Sequence, residues 1–201
     1  NYMSGYILET KGLTKKFKGQ IAVNNVSLSI RENSVFGLLG PNGAGKSTIL
    51  KMVTGIMKPS SGEILFENHP WSRKDLKDIG ALIENPAIYP NLTAIENLKL
   101  ACTLYGLSDA RAKEVLNIVD LKKADKKKIK NFSMGMKQRL GLGMAIVNKP
   151  KLLILDEPTN GLDPIGIEEL RELIRLFPSQ GMTVILSSHI LSEVAQVADE
   201  I

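Results

Sequence analysis

Gly40-Pro41-Asn42-Gly43-Ala44-Gly45-Lys46-Ser47-Thr48 spaces a glycine, four residues, and then Gly45, Lys46 and Ser47. Each requirement of that spacing has a physical cause. A triphosphate needs many donors around its oxygens, and residues without a Cβ let the backbone curl close enough to aim successive N–H groups at them. Lys46 supplies a compact positive charge for the β- and γ-phosphates, and the Ser47 hydroxyl is placed for Mg2+. Asn42, Gly43, Ala44, Gly45 and Thr48 complete the cradle, so the stretch reads as a phosphate-binding loop.

The flanks agree with that reading. Val35-Phe36-Gly37-Leu38-Leu39 is a continuous apolar run, which predicts a buried parallel strand, and Ser47 to Thr54 predicts a helix stopped by Gly55. The helix adds its dipole to the loop. A second landmark is Lys151-Leu152-Leu153-Ile154-Leu155-Asp156-Glu157. Its four apolar residues fit a central parallel strand, and its two acids fall at the C-terminal end, where ligands gather in open α/β sheets. Adjacent side chains on a strand face opposite ways, so the two acids are expected to take different roles. Asp156 is suited to holding Mg2+ and its waters, and Glu157 to reaching an attacking water as general base. Thr183 to Leu186 predicts a further strand, followed by Ser187, Ser188 and His189. A histidine there can hydrogen-bond a γ-phosphate or a catalytic water. Asp163 is the expected cap of a helix from Pro164 to about Leu176.

Elsewhere, Tyr6 to Ile30 has a β pattern in which Val26, Leu28 and Ile30 alternate with Ser27 and Ser29, with turn chemistry at Asn24-Asn25 before them. Phe17, among Lys15, Lys16 and Lys18, suits either a ring stacked on a purine or ordinary packing. Pro59 to Gly62 read as a turn into a strand at Glu63 to Glu67. Ile79 to Ile83 predicts another strand, ending at Glu84-Asn85-Pro86, where the acid is either a site residue or a surface carboxylate. Thr93 and Glu96 form a capping box for a helix through Leu98, Cys102 and Tyr105 to Gly106. A second helix covers about 109–119, and Ser133 caps a third. Residues 88–148 are therefore expected to form a separate, mainly helical lobe, with 1–87 and 149–201 as an α/β core, all in one domain.

Bulk properties narrow the function. At 201 residues, 43% of them hydrophobic, the chain can bury one sizeable core. Its apolar runs are strand-sized, far below the roughly 18–20 residues that cross a bilayer, so work at a membrane would go through a partner. No secretory leader is read, Asn1-Tyr2 before Met3 look like a cloning remnant, and the single Cys102 forms no internal disulfide; a reducing cytosol is expected. His69, His189 and one cysteine offer no zinc-type cluster. The net charge of +5 is local: Lys122, Lys123, Lys126, Lys127, Lys128 and Lys130 are broken only by Asp125 among the charges there, with no interleaved aromatic for base stacking. That run reads as a solvated face or as a contact for anionic headgroups or nucleic acid.

These residues resemble the nucleotide-binding subunits of ABC transporters over nearly the whole chain. The loop at 40–48, the acidic strand at 151–157, Asn160-Gly161-Leu162-Asp163 and His189 carry the resemblance. It implies a P-loop ATPase fold, α/β with a mainly parallel sheet, an antiparallel β portion near the N-terminus and an inserted helical lobe. It also implies ATP and Mg2+ as cofactors, with Lys46, Glu157 and His189 catalytic. By resemblance, Phe17 stacks on adenine, where the family more often has tyrosine, Asp163 adjoins the nucleotide, and Ser133, Gly135 and Gln138 fall on the signature motif. That motif departs from leucine, serine, two glycines and glutamine, since Phe132-Ser133-Met134-Gly135-Met136 keeps the serine and only the second glycine. A serine at a helix N-terminus still suits a γ-phosphate.

Glu84 stands where most relatives have a glutamine that contacts Mg2+ or water and the membrane subunit; a glutamate adds negative charge near the metal. Together with Tyr89-Pro90-Asn91-Leu92-Thr93, it resembles the subgroup that exports bacitracin or lantibiotics or gives immunity to them. In the family, two subunits pack head to tail, and each ATP lies between the phosphate loop of one and the signature of the other. The implied partners are thus an integral membrane permease, at the cytoplasmic face, and a second copy in a homodimer, with no nucleic acid. Relatives continue beyond Ile201, so a C-terminal part is expected to be missing. Rival readings are an ABC-type ATPase for another substrate, a nucleic-acid or ribosome-associated ATPase, and a small-molecule kinase.

Overall fold

A computed structural model describes residues 5–201, so the reading of Asn1-Tyr2 lies outside the described residues. Strands β1 (Tyr6–Phe17) and β2 (Gln20–Arg31) form a long antiparallel hairpin, followed by β3 (Val35–Leu39) and helix α1 (Lys46–Val53). Strands β4 (Ser61–Phe66), β5 (His69–Pro70) and β6 (Ile79–Leu82) come next, then helices α2 (Ala94–Leu104), α3 (Asp109–Ile118) and α4 (Met134–Ile146). The chain returns through β7 (Leu152–Asp156), α5 (Pro164–Leu176), β8 (Thr183–Ser188) and α6 (Leu191–Ala195). Two sheets result, antiparallel in the order β2-β1-β4-β5 and parallel in the order β3-β8-β7-β6.

The continuous apolar runs are explained by burial on both faces. Along β7, Leu152 and Ile154 join the cluster of β1, β2 and α1 that holds Leu8, Leu13, Leu50 and Phe66. Leu153 and Leu155 point the other way, into a cluster with Leu98, Val115, Leu140 and Ile174 of the helices. The helices of 88–148 therefore do not enclose a separate core. Their interior is continuous with one face of the parallel sheet, because three short helices of mixed polarity need that face to bury their apolar sides.

Two local expectations shift. Asn24-Asn25 make no turn but lie within β2, where Asn25 takes φ 51° and its N–H donates to Thr14 Oγ1 at 3.0 Å. Asparagine tolerates the left-handed region, so it serves a bulge between the pairs Leu13–Val26 and Lys15–Val23, and the hairpin turns at Lys18-Gly19 instead. Strand β8 also runs two residues past Leu186 and takes in Ser187 and Ser188, both buried.

The caps lie where the sequence places them. Thr93 and Glu96 exchange capping-box hydrogen bonds at the start of α2, and those bonds hold the Glu96 carboxyl below the usual glutamate range. Asn97, fully buried, accepts from Tyr89 N–H at 2.8 Å and donates to the Tyr89 and Thr93 carbonyls at 3.2 and 3.0 Å. Asn97→Ala strands those backbone groups and is expected to cost about 1–3 kcal/mol, read as a lower thermal midpoint with the fold retained. A midpoint equal to wild type would show that the loop 89–93 holds itself.

Candidate functional site

Three neighbouring parallel strands deliver the site. Strands β3, β8 and β7 run side by side, and their C-terminal ends lead into the phosphate loop, His189 and Glu157. The loop bends through Gly43 at φ 84° and Gly45 at φ 95°, and Gly45 opens α1 with no side-chain cap on the helix N-terminus. The first-turn amides of α1 are thus left to an anion, which the dipole also favours. Lys46 is buried, and its ammonium group donates to the carbonyls of Gly40 and, at 3.0 Å, of Pro41.

Asp156 and Glu157 make different contacts, but the geometry is not that of a strand alternation. The strand ends at Asp156, and Glu157 turns to φ 47°, a left-handed conformation that is strained for a glutamate. Both acids therefore serve the phosphate-loop side. Asp156 Oδ2 accepts from Ser47 Oγ at 2.8 Å, and Oδ1 accepts from Ser187 Oγ at 2.6 Å. Glu157 Oε2 lies 3.1 Å from His189 Nδ1, and Oε1 lies 3.7 Å from Lys46 Nζ. Glu157 Oε1 is shielded from solvent and has no hydrogen-bond partner, which fits an acceptor aimed at a reacting water.

Ser187 is the member of this cluster that sequence reasoning left without a role. Its hydroxyl donates to Asp156 and accepts from Glu157 N–H at 2.9 Å, so one side chain orients both acids. The available signal was a hydroxyl closing an otherwise apolar strand. Ser47 and Asp156 also fit a magnesium ion. That cation keeps several waters and needs only one or two protein oxygens beside its phosphates, and among the described residues no group of three acids, histidines or cysteines is built to hold a metal by itself.

Other predicted site residues are not brought to this cluster. The Glu84 carboxylate is exposed and bound to Lys51 of α1, Oε1 to Nζ at 2.8 Å, rather than to Ser47 or Asp156. Its backbone is left-handed, φ 63°, and the Lys51 hydrogen bond and charge hold its carboxyl below the usual range. Phe17 ends β1 with its ring 47% exposed and Lys15 Nζ at 5.5 Å from the centroid. Ser133 caps α4 by accepting from Met136 N–H at 3.1 Å, and Gln138 Nε2 donates to the Pro158 carbonyl at 2.9 Å. Asp163 caps α5 through Gly166 N–H at 2.7 Å, and a Cβ on Gly135 would lie 3.9 Å from Gly166 Cα. The start of α4 thus borders the loop after Glu157, and Asp163 serves that loop as a cap. One chain carries two separate groups of predicted residues.

A phosphate loop after the first parallel strand, a hydroxyl–carboxylate pair for a cation, and an acid and a histidine at neighbouring strand ends define a P-loop nucleotide-hydrolysing site. The chain belongs to the ABC transporter family, whose model matches residues 23–160. It is an ATP-binding, ATP-hydrolysing transport subunit. It is 52% identical over 193 residues to the lantibiotic transport ATP-binding protein SrtF of Streptococcus pyogenes, covering 96% of this chain and 84% of that one. To the bacitracin transport ATP-binding protein BcrA of Bacillus licheniformis it is 46% identical over 200 residues, 97% of this chain and 65% of that protein. Among solved structures, cbiO1 of Clostridium perfringens, part of the ABC transporter complex cbiONQ, superposes with a TM-score of 0.87 at 30% identity, covering 98% of this chain and 83% of that one. The expected fold class holds.

Proposed function

We propose that this subunit powers export of, or immunity to, a peptide antibiotic of the bacitracin or lantibiotic type. The observation that carries the reading is the similarity to SrtF and BcrA across nearly the whole chain. In the reaction, Glu157 takes a proton from water as the water oxygen bonds the γ-phosphorus and the bond to the bridging β-phosphate oxygen breaks, releasing ADP; Lys46 and the loop amides of 42–48 stabilise the developing charge, and His189 orients Glu157 and the reacting groups. Ser47 and Asp156 would hold Mg2+, which neutralises phosphate charge when bound. Glu84 would join them only after leaving Lys51. Phe17 carries the adenine. Ser133, Gly135, Gln138 and Asp163 belong to the half-site offered to the nucleotide of a second copy, in a head-to-tail homodimer; their contacts here run to Met136, Pro158 and Gly166 rather than to the phosphate loop, which supports that arrangement.

The domain reading is one ATP-binding unit, core at 1–87 and 149–201, lobe at 88–148. An integral membrane permease holds the subunit at the cytoplasmic face of the membrane, and among the described residues no helix is long and apolar enough to cross it. The permease would seat in a groove of about 530 Å3 between β6 and the helices, lined by Leu82, Asn85, Pro86 and Met144. Ile56 and Tyr105, which also line it, stand 65% and 50% exposed.

The test uses the native host with the gene deleted, challenged with bacitracin and several lantibiotics. Hypersensitivity to one peptide, restored by the full-length gene and not by its Glu157→Gln form, is the expected result. No change across the panel would remove the peptide-antibiotic reading and leave the ATPase in place.

A further inference from the structure

The lysine run at 122–130 contains none of the residues assigned to ATP hydrolysis, yet it is firmly built. Leu121 and Ile129 are buried, and short 3₁₀ turns at Lys122–Ala124 and Ile129–Asn131 fix the backbone around them. Ile129 N–H donates to the Leu92 carbonyl and Lys130 N–H to the Pro90 carbonyl, both at 3.0 Å, which ties the run to the loop 89–93. Lys122, Lys123, Lys126, Lys127, Lys128 and Lys130 all face solvent, and among the described residues none forms a salt bridge. The nearby acids do not neutralise them. Glu96 feels the Lys128 charge but is held by Thr93, Asp120 pairs with Arg139, and Asp125 is a single charge within the run. Holding six like charges together on a fixed backbone costs stability through self-repulsion, so a bound anionic surface offsets what plain solvation leaves.

A second, independent feature lies beside it. Tyr89 is 61% exposed although its backbone is clamped by the buried Asn97, and the next residue, Pro90, accepts from Lys130 N–H, so a rigid loop displays the tyrosine beside the run. A tyrosine with an apolar body and a polar tip suits the headgroup layer of a membrane, and a basic segment there gains affinity for anionic lipid with each lysine. A single-stranded nucleic acid would want several aromatics along the groove, and the run itself has none. The same loop leads back through Ala87 and Pro86 into the 530 Å3 groove.

We propose that Tyr89 and Lys122–Lys130 form a contact surface for the anionic phospholipid headgroups of the membrane. This rests on the permease reading, because a permease in that groove brings the adjoining face towards the bilayer.

The purified chain, with ATP turnover measured in the same preparation, is mixed with vesicles of phosphatidylcholine alone or with roughly a third phosphatidylglycerol. Sedimentation with the anionic vesicles only, weakening as salt rises, is expected. Replacing Lys126, Lys127 and Lys128 together by glutamine is expected to weaken that binding about tenfold or more with turnover unchanged, and replacing the same three by arginine to preserve it. Equal binding by the glutamine variant, or no binding to anionic vesicles, overturns the proposal. Displacement by inorganic phosphate at constant ionic strength would assign the patch to free phosphate and overturn it too. Capture of a short single-stranded RNA with the vesicles ignored would do the same in favour of nucleic acid. A preparation that turns over ATP and ignores vesicles refutes the lipid contact alone, since the transport reading stands or falls on the host challenge.

Discussion

Glu157→Gln is expected to keep ATP binding and to lose about 10²-fold or more in turnover, the scale of a general base. The amide keeps the size of the carboxylate and its place between His189 Nδ1 at 3.1 Å and Lys46 Nζ at 3.7 Å. What it loses is the ability to accept a proton from water. Nucleotide affinity and phosphate release measured on one preparation separate the two effects. Normal hydrolysis by the variant would remove Glu157 from the reaction and leave Asp156, already engaged by Ser47 and Ser187, as the nearest carboxylate on β7.

The second large effect is expected from Gly45→Ala. At φ 95° an alanine is strained, and its Cβ would stand 2.4 Å from the Ala22 carbonyl oxygen, a backbone atom that cannot swing aside. The phosphate loop must then move away from β2, and the amides that close on phosphate move with it. Losing one or two charge-assisted hydrogen bonds weakens nucleotide binding by about 10²-fold or more. Gly43→Ala is the matched control: φ is 84°, but the added carbon meets nothing within 4 Å, so its loss should be clearly smaller. Equal affinities for the two variants would mean that the close approach of β2 does not set the loop.

Part of this molecule is legible in its sequence. The phosphate loop, the strand at 152–156 and the caps Thr93, Ser133 and Asp163 follow rules that act within a few residues, and each lies where its local chemistry puts it. Relations across the fold were not readable that way. The hydroxyl of Ser187 reaches Asp156 from a strand 31 positions away, and only the register of β7 against β8 brings them together. The left-handed turn at Glu157 replaces the strand alternation that the sequence alone implied, and it aims the side chain at His189 and Lys46. Glu84 is a metal neighbour only by the family resemblance, and its strand-end position left a surface carboxylate equally open; the ammonium of Lys51, in the last turn of α1, holds it instead. The continuous core under the helices is likewise a property of packing, since no helix periodicity says which sheet face will cover it.

The most direct test of the account is the stoichiometry of inorganic phosphate and ADP produced by the purified chain from ATP and Mg2+, without any added acceptor. Equal amounts of the two, abolished by chelating the metal and by Glu157→Gln, are the predicted result. ADP formed without free phosphate, or only after an acceptor molecule is supplied, would contradict hydrolysis and make the site a phosphoryl transferase.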